Sequence, residues 1–220
     1  MTTVLLVRHG LTRLTGPVLA GWLPGLHLDE RGTSQAAQLA ERLRPVPLTA
    51  VVTSPLERCL DTVVPILEGR TVDGAPQQAT IDERLGEARY GDWTGQELKV
   101  LARDPLWKTV QSQPSAVTFP NGEALRDVQG RALDAVRDWN ARLGPGAVWL
   151  ACSHADVIKS IVADALGLHL DQFQRIGVAP ASLSAISYER NRTAVLRVND
   201  TGGTVDDLLP VKRRRSARRN

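Results

Sequence analysis

Short apolar segments alternate with amphipathic segments along the chain, and this alternation restricts the fold more than any other feature of the sequence. Residues 4–7 (VLLV) and 147–153 (AVWLACS) have the length and composition of buried strands. Between them, apolar side chains recur at the i, i+3, i+4, i+7 spacing of a helix, at Ala36, Leu39, Ala40 and Leu43. Strands that alternate with helices form a parallel sheet with helices on both faces. The pattern therefore predicts an α/β fold, a three-layer α/β/α sandwich with a mostly parallel central sheet.

The end of the chain departs from this alternation. Segments 181–189 (ASLSAISYE) and 193–199 (TAVLRVN) are expected to pair as closing strands around a turn at Asn191. The last nine residues then carry six basic side chains, at Lys212, Arg213, Arg214, Arg215, Arg218 and Arg219. These residues account for the formal net charge of +3, because acidic residues outnumber basic ones in the rest of the chain. Such a block predicts a disordered basic tail over 211–220, for which a nucleic-acid partner is not expected beyond a weak, salt-sensitive contact.

Composition points to a cytoplasmic protein. No apolar segment approaches the roughly 18–20 residues that cross a bilayer, and the apolar run at 4–7 is too short for a secretory signal. Cys59 and Cys152 are the only cysteines, and their spacing suggests neither a zinc site nor a disulfide framework. We therefore expect two reduced, buried thiols and no membrane partner. The sequence carries no signal for an oligomeric state.

Basic side chains follow three of the predicted strands at their carboxyl ends. Arg8 and His9 end the first strand, Arg58 follows the strand predicted at 49–54, and His154 follows the strand that ends near residue 153. Ligands of parallel α/β sheets bind at this edge of the sheet. Each residue taken singly has an ordinary structural explanation, but their joint placement predicts one shared pocket.

The starts of two helices carry a second signal. Ser54 with Glu57, and Ser153 with Asp156, have the spacing of capping boxes. The second box would place His154 beside free backbone N–H groups, which bind phosphate well. Arginine adds a planar fork that grips two phosphate oxygens. The residues alone therefore predict a pocket for a phosphoryl group.

Four motifs together resemble a known family. They are LLVRHG (5–10), SPLERC (54–59), LGEARYGDWTG (85–95) and ACSHADVIK (151–159). Their order and spacing, over residues 3 to about 190, resemble the histidine phosphatase superfamily, also called the phosphoglycerate-mutase-like fold. The resemblance implies a single domain over 1–210, with a cap-like insertion at about 88–120 that covers the pocket.

The resemblance also implies roles for the basic residues. His9 matches the nucleophile that becomes phosphorylated. Arg8, Arg58 and His154 match the groups that hold the phosphoryl oxygens. A phosphoryl transition state spreads negative charge over its oxygens, so fixed cations and N–H donors provide most of the catalysis. The arginines neutralise this charge, so we expect neither a metal nor another cofactor.

The proton donor is assigned by the resemblance alone. Glu87 matches the family's acid, which protonates the leaving group. The residues themselves do not distinguish Glu87 from Asp82 or Glu83. The chain also lacks the clustered carboxylates that magnesium usually requires.

Three further positions are assigned to substrate binding. Thr15 stands where many family members have an Asn that contacts the phosphate, so one phosphate ligand differs here. Gly21, in the loop 21–32, is expected to help form one wall of the pocket. Ala155 follows His154 at the start of a helix.

The phosphatase branch of the family fits best. Only about thirty residues separate Glu87 from FPNGEALRDVQGR (119–131), which looks like the PGGES signature of that branch. Cofactor-dependent mutases have a longer segment there. We therefore expect hydrolysis of a small phosphorylated metabolite through a phosphohistidine. The alternatives are a phosphoglycerate-mutase-type phosphomutase and a non-catalytic phosphate-binding or regulatory protein with the same fold.

Overall fold

A six-stranded sheet carries the ends of several parallel strands to one edge. The computed structural model describes residues 1–203. Its strands are β1 (Thr2–Arg8), β2 (Ala50–Thr53), β3 (Thr71–Val72), β4 (Ala75–Pro76), β5 (Ala79–Ile81), β6 (Val148–Ser153), β7 (Leu183–Tyr188) and β8 (Thr193–Asp200). The central sheet has the order β5-β2-β6-β1-β7-β8. Strands β5, β2, β6 and β1 run parallel, whereas β7 pairs antiparallel with both of its neighbours, β1 and β8. The predicted mostly parallel sheet and the closing pair of strands are confirmed.

Helices cover both faces of this sheet. The α-helices are α1 (Glu30–Leu43), α2 (Glu57–Leu67), α3 (Leu98–Leu101), α4 (Pro105–Ser112), α5 (Leu125–Leu143) and α6 (Ala155–Ala165). The Asp29 carboxylate caps α1 by accepting from the Gly32 N–H over 2.8 Å. Gly144 follows the last residue of helix α5 and has a φ of 73°, which glycine adopts at little cost because it has no Cβ. The predicted α/β/α sandwich is therefore present.

The apolar run of strand β1 is continuous rather than alternating because helices cover both faces of the strand. Leu5 and Val7 belong to the apolar cluster filled by α1 and α2. Val4 and Leu6 belong to the cluster filled by α5 and α6. All four side chains are fully buried. Because helices cover both faces of the strand, every position from Val4 to Val7 is apolar, and the polar residues begin at the open edge with Arg8.

The segment between α2 and the site contains the edge strand β5 of the central sheet and a small antiparallel hairpin, β3–β4. Asp73 and Gly74 form its turn with φ of 52° and 80°. An Asp-Gly pair in this conformation is the usual connection of a two-residue hairpin.

The segment predicted as a cap packs on the main core. Leu101, Val110, Val117 and Phe119 join the same apolar cluster as α5 and α6. The domain limits of 1–210 and the insertion at about 88–120 stay predictions, and the basic tail at 211–220 lies outside the described residues. Within residues 1–203, no helix is both long and apolar enough to cross a bilayer.

Candidate active site

Neighbouring strand ends bring the predicted basic residues to one point. Strands β1 and β6 pair with Arg8 opposite Ser153, and the His9 N–H donates to the Ser153 carbonyl over 3.0 Å. Arg58 lies in the first turn of α2, which follows β2 on the other side of β6. The rings of His9 and His154 have their centroids 5.2 Å apart. The structure therefore brings Arg8, His9, Arg58 and His154 together.

The hydrogen bonds of His9 define its tautomer. Its Nδ1 lies 2.7 Å from the Gly10 carbonyl oxygen, and a carbonyl can only accept, so Nδ1 carries the proton. Nε2 keeps its lone pair, towards which Arg58 Nε donates over 3.3 Å. Burial, Arg58 and Arg8 hold the pKa of His9 well below its usual value. The imidazole is therefore neutral near pH 7, which is the nucleophilic form.

The two arginines have donors to spare. Arg58 is 2% exposed and donates through Nη2 to the Gly21 carbonyl over 2.8 Å. Arg8 donates through Nη1 to the Val178 carbonyl over 2.7 Å. Arg58 Nη1 and Arg8 Nε are buried without a hydrogen-bond partner among residues 1–203. Buried charges and unpaired donors are costly, and both arginines line the same cavity as His9, so they are suited to holding an anion there.

His154 contacts the guanidinium of Arg58. Its side chain is fully buried, and its Nδ1 lies 3.1 Å from Arg58 Nη2. A guanidinium can only donate, so Nδ1 accepts and Nε2 carries the proton, which it donates to Ser54 Oγ over 2.8 Å. Burial, followed by Arg58 and His9, lowers the pKa of His154 well below its usual value. A neutral His154 therefore orients Arg58.

Both predicted capping boxes are wrong. Helices α2 and α6 begin without a side-chain hydrogen bond at the N-cap. Ser54 is bound to His154, and the Ser153 hydroxyl donates to a backbone carbonyl over 2.6 Å. Glu57 accepts instead from a loop N–H over 3.0 Å. Both serines are fully buried at strand ends, where their hydroxyls bind polar groups of the core. Ser54 Oγ also accepts from the Leu56 N–H over 3.3 Å, so one capping contact before α2 is present while the reciprocal box with Glu57 is not.

Glu87 has the environment of a proton donor. Its Oε1 accepts from the Ala88 N–H over 3.0 Å, and its backbone carbonyl accepts from Trp22 Nε1 over 2.6 Å. Its Oε2 lies 3.9 Å from His154 Nδ1. Burial, with the charge of Asp156, raises the pKa of Glu87 to about 7. A carboxyl group with this pKa holds a proton that it can release near neutral pH.

The two other acids left open by the sequence lie elsewhere. Asp82 accepts from Arg84 and from Trp139 Nε1, at 2.8 and 3.0 Å. Glu83 is exposed. Neither residue lines the cavity beside His9, whereas Glu87 does. The geometry therefore separates three acids that the residue pattern could not.

A cavity of about 220 Å³ opens in front of His9, and we call it the reaction cavity. Thr15, Gly21 and Ala155, predicted to bind substrate, all line it. Thr15 Oγ1 accepts from the Thr12 N–H over 3.0 Å. Gly21 has a φ of 53°, and a Cβ there would lie 3.0 Å from the Tyr90 ring. A side chain at this position would therefore strain the loop whose carbonyl holds Arg58.

Sequence reasoning missed two residues of the cavity wall. Tyr90 donates through its hydroxyl to Asp156 Oδ2 over 2.9 Å, and both residues line the reaction cavity. The spacing of Asp156 from Ser153 predicts a helix cap, and this local pattern gives no sign of a contact with a distant tyrosine. No spacing rule connects residues 66 positions apart.

Fold and site together define a known class of protein. The family model of the histidine phosphatase superfamily (branch 1) matches residues 4–201. The chain belongs to this superfamily, as its motifs predicted.

Three similar proteins illustrate the range of the family. Phosphoserine phosphatase 1 of Hydrogenobacter thermophilus is 30% identical over 211 residues, covering 91% of this chain and 93% of its own. The probable phosphoglycerate mutase GpmB of Cronobacter sakazakii is 30% identical over 215 residues, covering 94% and 95%. The solved structure of Bacillus stearothermophilus YhfR has a TM-score of 0.82 and 30% identity, covering 91% of this chain and 98% of its own.

Glu87→Gln is expected to stabilise the folded protein at pH 8 more than at pH 5. The pKa of Glu87 is about 7 when folded, against 4.5 usually. The folded state therefore binds more protons than the unfolded state between these values, and stability falls as pH rises through this window. Each pKa unit is worth about 1.4 kcal/mol, so we expect a gain on the order of 1–3 kcal/mol at pH 8 in urea unfolding. Glu83→Gln, at an exposed position, is the control. Equal gains for Glu87→Gln at both pH values would contradict the assigned pKa.

Proposed function

We propose that this protein hydrolyses a small-molecule phosphomonoester through a phosphohistidine on His9. The observation that carries the proposal is the environment of His9 Nε2. The neutral imidazole lines a cavity with the buried Arg58 and the half-buried Arg8, each of which keeps one buried, unpaired donor. That arrangement suits a phosphoryl group in transfer.

The proposed reaction has two steps. His9 Nε2 attacks phosphorus and the ester P–O bond breaks, while Arg8 and Arg58 neutralise the phosphoryl oxygens. Glu87 gives its proton to the departing alkoxide, which leaves as an alcohol. Water then attacks the phosphohistidine and loses a proton to Glu87, releasing inorganic phosphate and restoring His9. In this scheme His154 is a positioning residue, because it reaches the phosphoryl site through Arg58.

Two alternatives remain in the proposal. A phosphomutase is suggested by the relative named as a probable phosphoglycerate mutase, but the short segment before residue 119 favours hydrolysis. A non-catalytic binding protein is disfavoured because His9, Arg8, Arg58 and Glu87 all line one cavity, which supports their proposed roles. The cytoplasmic location and the absence of a nucleic-acid partner stay predictions.

A panel of phosphorylated metabolites tests the proposal. Release of inorganic phosphate should be detected for some of these esters and should depend on His9. Transfer of the phosphoryl group between positions of phosphoglycerate, without net release, would favour the mutase. Binding of phosphate esters without either reaction would favour the non-catalytic alternative.

Activity is expected to survive excess EDTA, and vanadate is expected to inhibit. Arg8 and Arg58 are proposed to supply the positive charge that a divalent ion supplies in many phosphatases. Vanadate adopts a five-coordinate geometry like that of a phosphoryl group in transfer, so the same donors should hold it. Phosphate release with and without the chelator measures the first effect. Loss of activity on chelation, restored by magnesium or zinc, would contradict this role of the arginines.

A further inference from the structure

A second cavity, of about 210 Å³, adjoins the reaction cavity. The two share Leu19, Tyr90, Leu98 and Asp156 as wall residues. We call the second one the side pocket. A substrate whose phosphoryl group lies at His9 would therefore direct its alcohol portion towards it.

The walls of the side pocket are mainly apolar and aromatic. Trp93, Trp107 and Phe119 line it together with Val110. The ring centroid of Trp93 lies 6.1 Å from that of Trp107 and 5.6 Å from that of Phe119. Aromatic walls of this kind gain most from burying apolar groups.

The cations around the two cavities either surround the phosphoryl position or bind neighbouring side chains. Within residues 1–203, the basic residues that line the reaction cavity are Arg8, His9 and Arg58, all of which surround the phosphoryl position. The side pocket adds Lys159, whose Nζ lies 3.3 Å from Asp156 Oδ1 and 3.1 Å from Gln174 Oε1. A second anionic group on the substrate would therefore meet carboxylates and engaged donors, and it would lose its hydration without compensation.

We infer that the physiological substrate is the monophosphate ester of an uncharged, largely apolar alcohol, which occupies the side pocket beside Asp156. This inference rests on the proposed function and restricts the class of phosphomonoester that the protein hydrolyses. It disfavours phosphoglycerates and bisphosphates as substrates, since each carries a second anionic group.

Two esters of matched length test the inference. Hexyl phosphate and 5-carboxypentyl phosphate release alkoxides of similar basicity and differ at the far end, where one carries a carboxylate. We expect kcat/KM to be at least about tenfold higher for hexyl phosphate, the scale on which a pocket discriminates small differences in a substrate.

Two variants locate the discrimination. Asp156→Asn should free Lys159 to bind the substrate carboxylate. The ratio of kcat/KM for hexyl phosphate to kcat/KM for 5-carboxypentyl phosphate should therefore shrink severalfold. Any effect of this variant on Glu87 acts on both alkyl esters and cancels in the ratio. Trp107→Ala should lower kcat/KM for hexyl phosphate severalfold. Trp139→Ala is the matched control, because Trp139 is a half-buried tryptophan of α5 that lines neither cavity.

Each outcome bears on the inference. Equal rates for the two esters, or a preference for the carboxylate, would overturn it while leaving the proposed phosphatase in place. The same loss in Trp107→Ala and Trp139→Ala, or an unchanged ratio in Asp156→Asn, would overturn the placement in the side pocket. If neither ester nor p-nitrophenyl phosphate is hydrolysed, the proposed function fails and the inference fails with it.

Discussion

His9→Ala is expected to lower kcat/KM for every phosphomonoester by about 10⁴-fold or more, the size of loss seen when a covalent nucleophile is removed. The structure gives this residue a neutral ring, with Nδ1 bound to the Gly10 carbonyl and Nε2 unprotonated, as attack on phosphorus requires. The methyl side chain of the alanine cannot form the covalent intermediate, so water would have to attack the substrate directly. The measurement is phosphate release from p-nitrophenyl phosphate, for which the leaving group needs little protonation.

His27→Ala is the matched control for this variant. His27 is a 63% exposed histidine whose Nδ1 lies 2.9 Å from Asp61, and it does not line the reaction cavity. The control should retain the rate of the parent protein, and circular dichroism should show both variants folded. A folded His9→Ala protein that keeps a tenth of the parent rate would exclude His9 as the nucleophile.

Glu87→Gln is expected to slow alkyl phosphate hydrolysis by about 10²- to 10⁴-fold and to affect p-nitrophenyl phosphate much less. An alkoxide needs a proton to leave, whereas p-nitrophenolate is a weak base and hardly does. The comparison uses kcat/KM, which reports the first irreversible step and excludes later activation of water by Glu87. Since the pKa of Glu87 is about 7, kcat/KM for alkyl esters should also fall as pH rises through 7.

Glu83→Gln and Asp82→Asn are the controls for the acid. Glu83 is exposed and Asp82 is held by Arg84 and Trp139, so neither change should alter kcat/KM for alkyl esters by more than a small factor. An unchanged rate in Glu87→Gln, with a large loss in one of the controls, would move the acid to that neighbour.

The sequence predicted the sheet, the helices and the meeting of basic residues because these depend on patterns within short segments. Strand β1 is apolar at every position from Val4 to Val7, since helices cover both its faces. Parallel neighbours then place the residues after each strand at one edge. The Asp73-Gly74 pair is an equally local signal, since it is typical of a two-residue hairpin turn.

Other parts of the site depend on contacts between distant segments and could not be predicted this way. Ser54 and Ser153 match a capping pattern, but their burial gives them partners in the core. Asp156 matches a cap and instead binds Tyr90. The elevated pKa of Glu87 arises from burial and from Asp156, neither of which can be deduced from its neighbours in sequence.

Trapping the phosphoenzyme tests the central claim most directly. The protein is mixed with ³²P-labelled p-nitrophenyl phosphate, quenched during turnover and digested, and the labelled peptide is sequenced. We predict label on the peptide that contains His9, lost in acid and stable in alkali, and absent from His9→Ala. Label that survives acid, as a phosphoserine would, or that stays on another residue in His9→Ala, would contradict a phosphohistidine mechanism at His9.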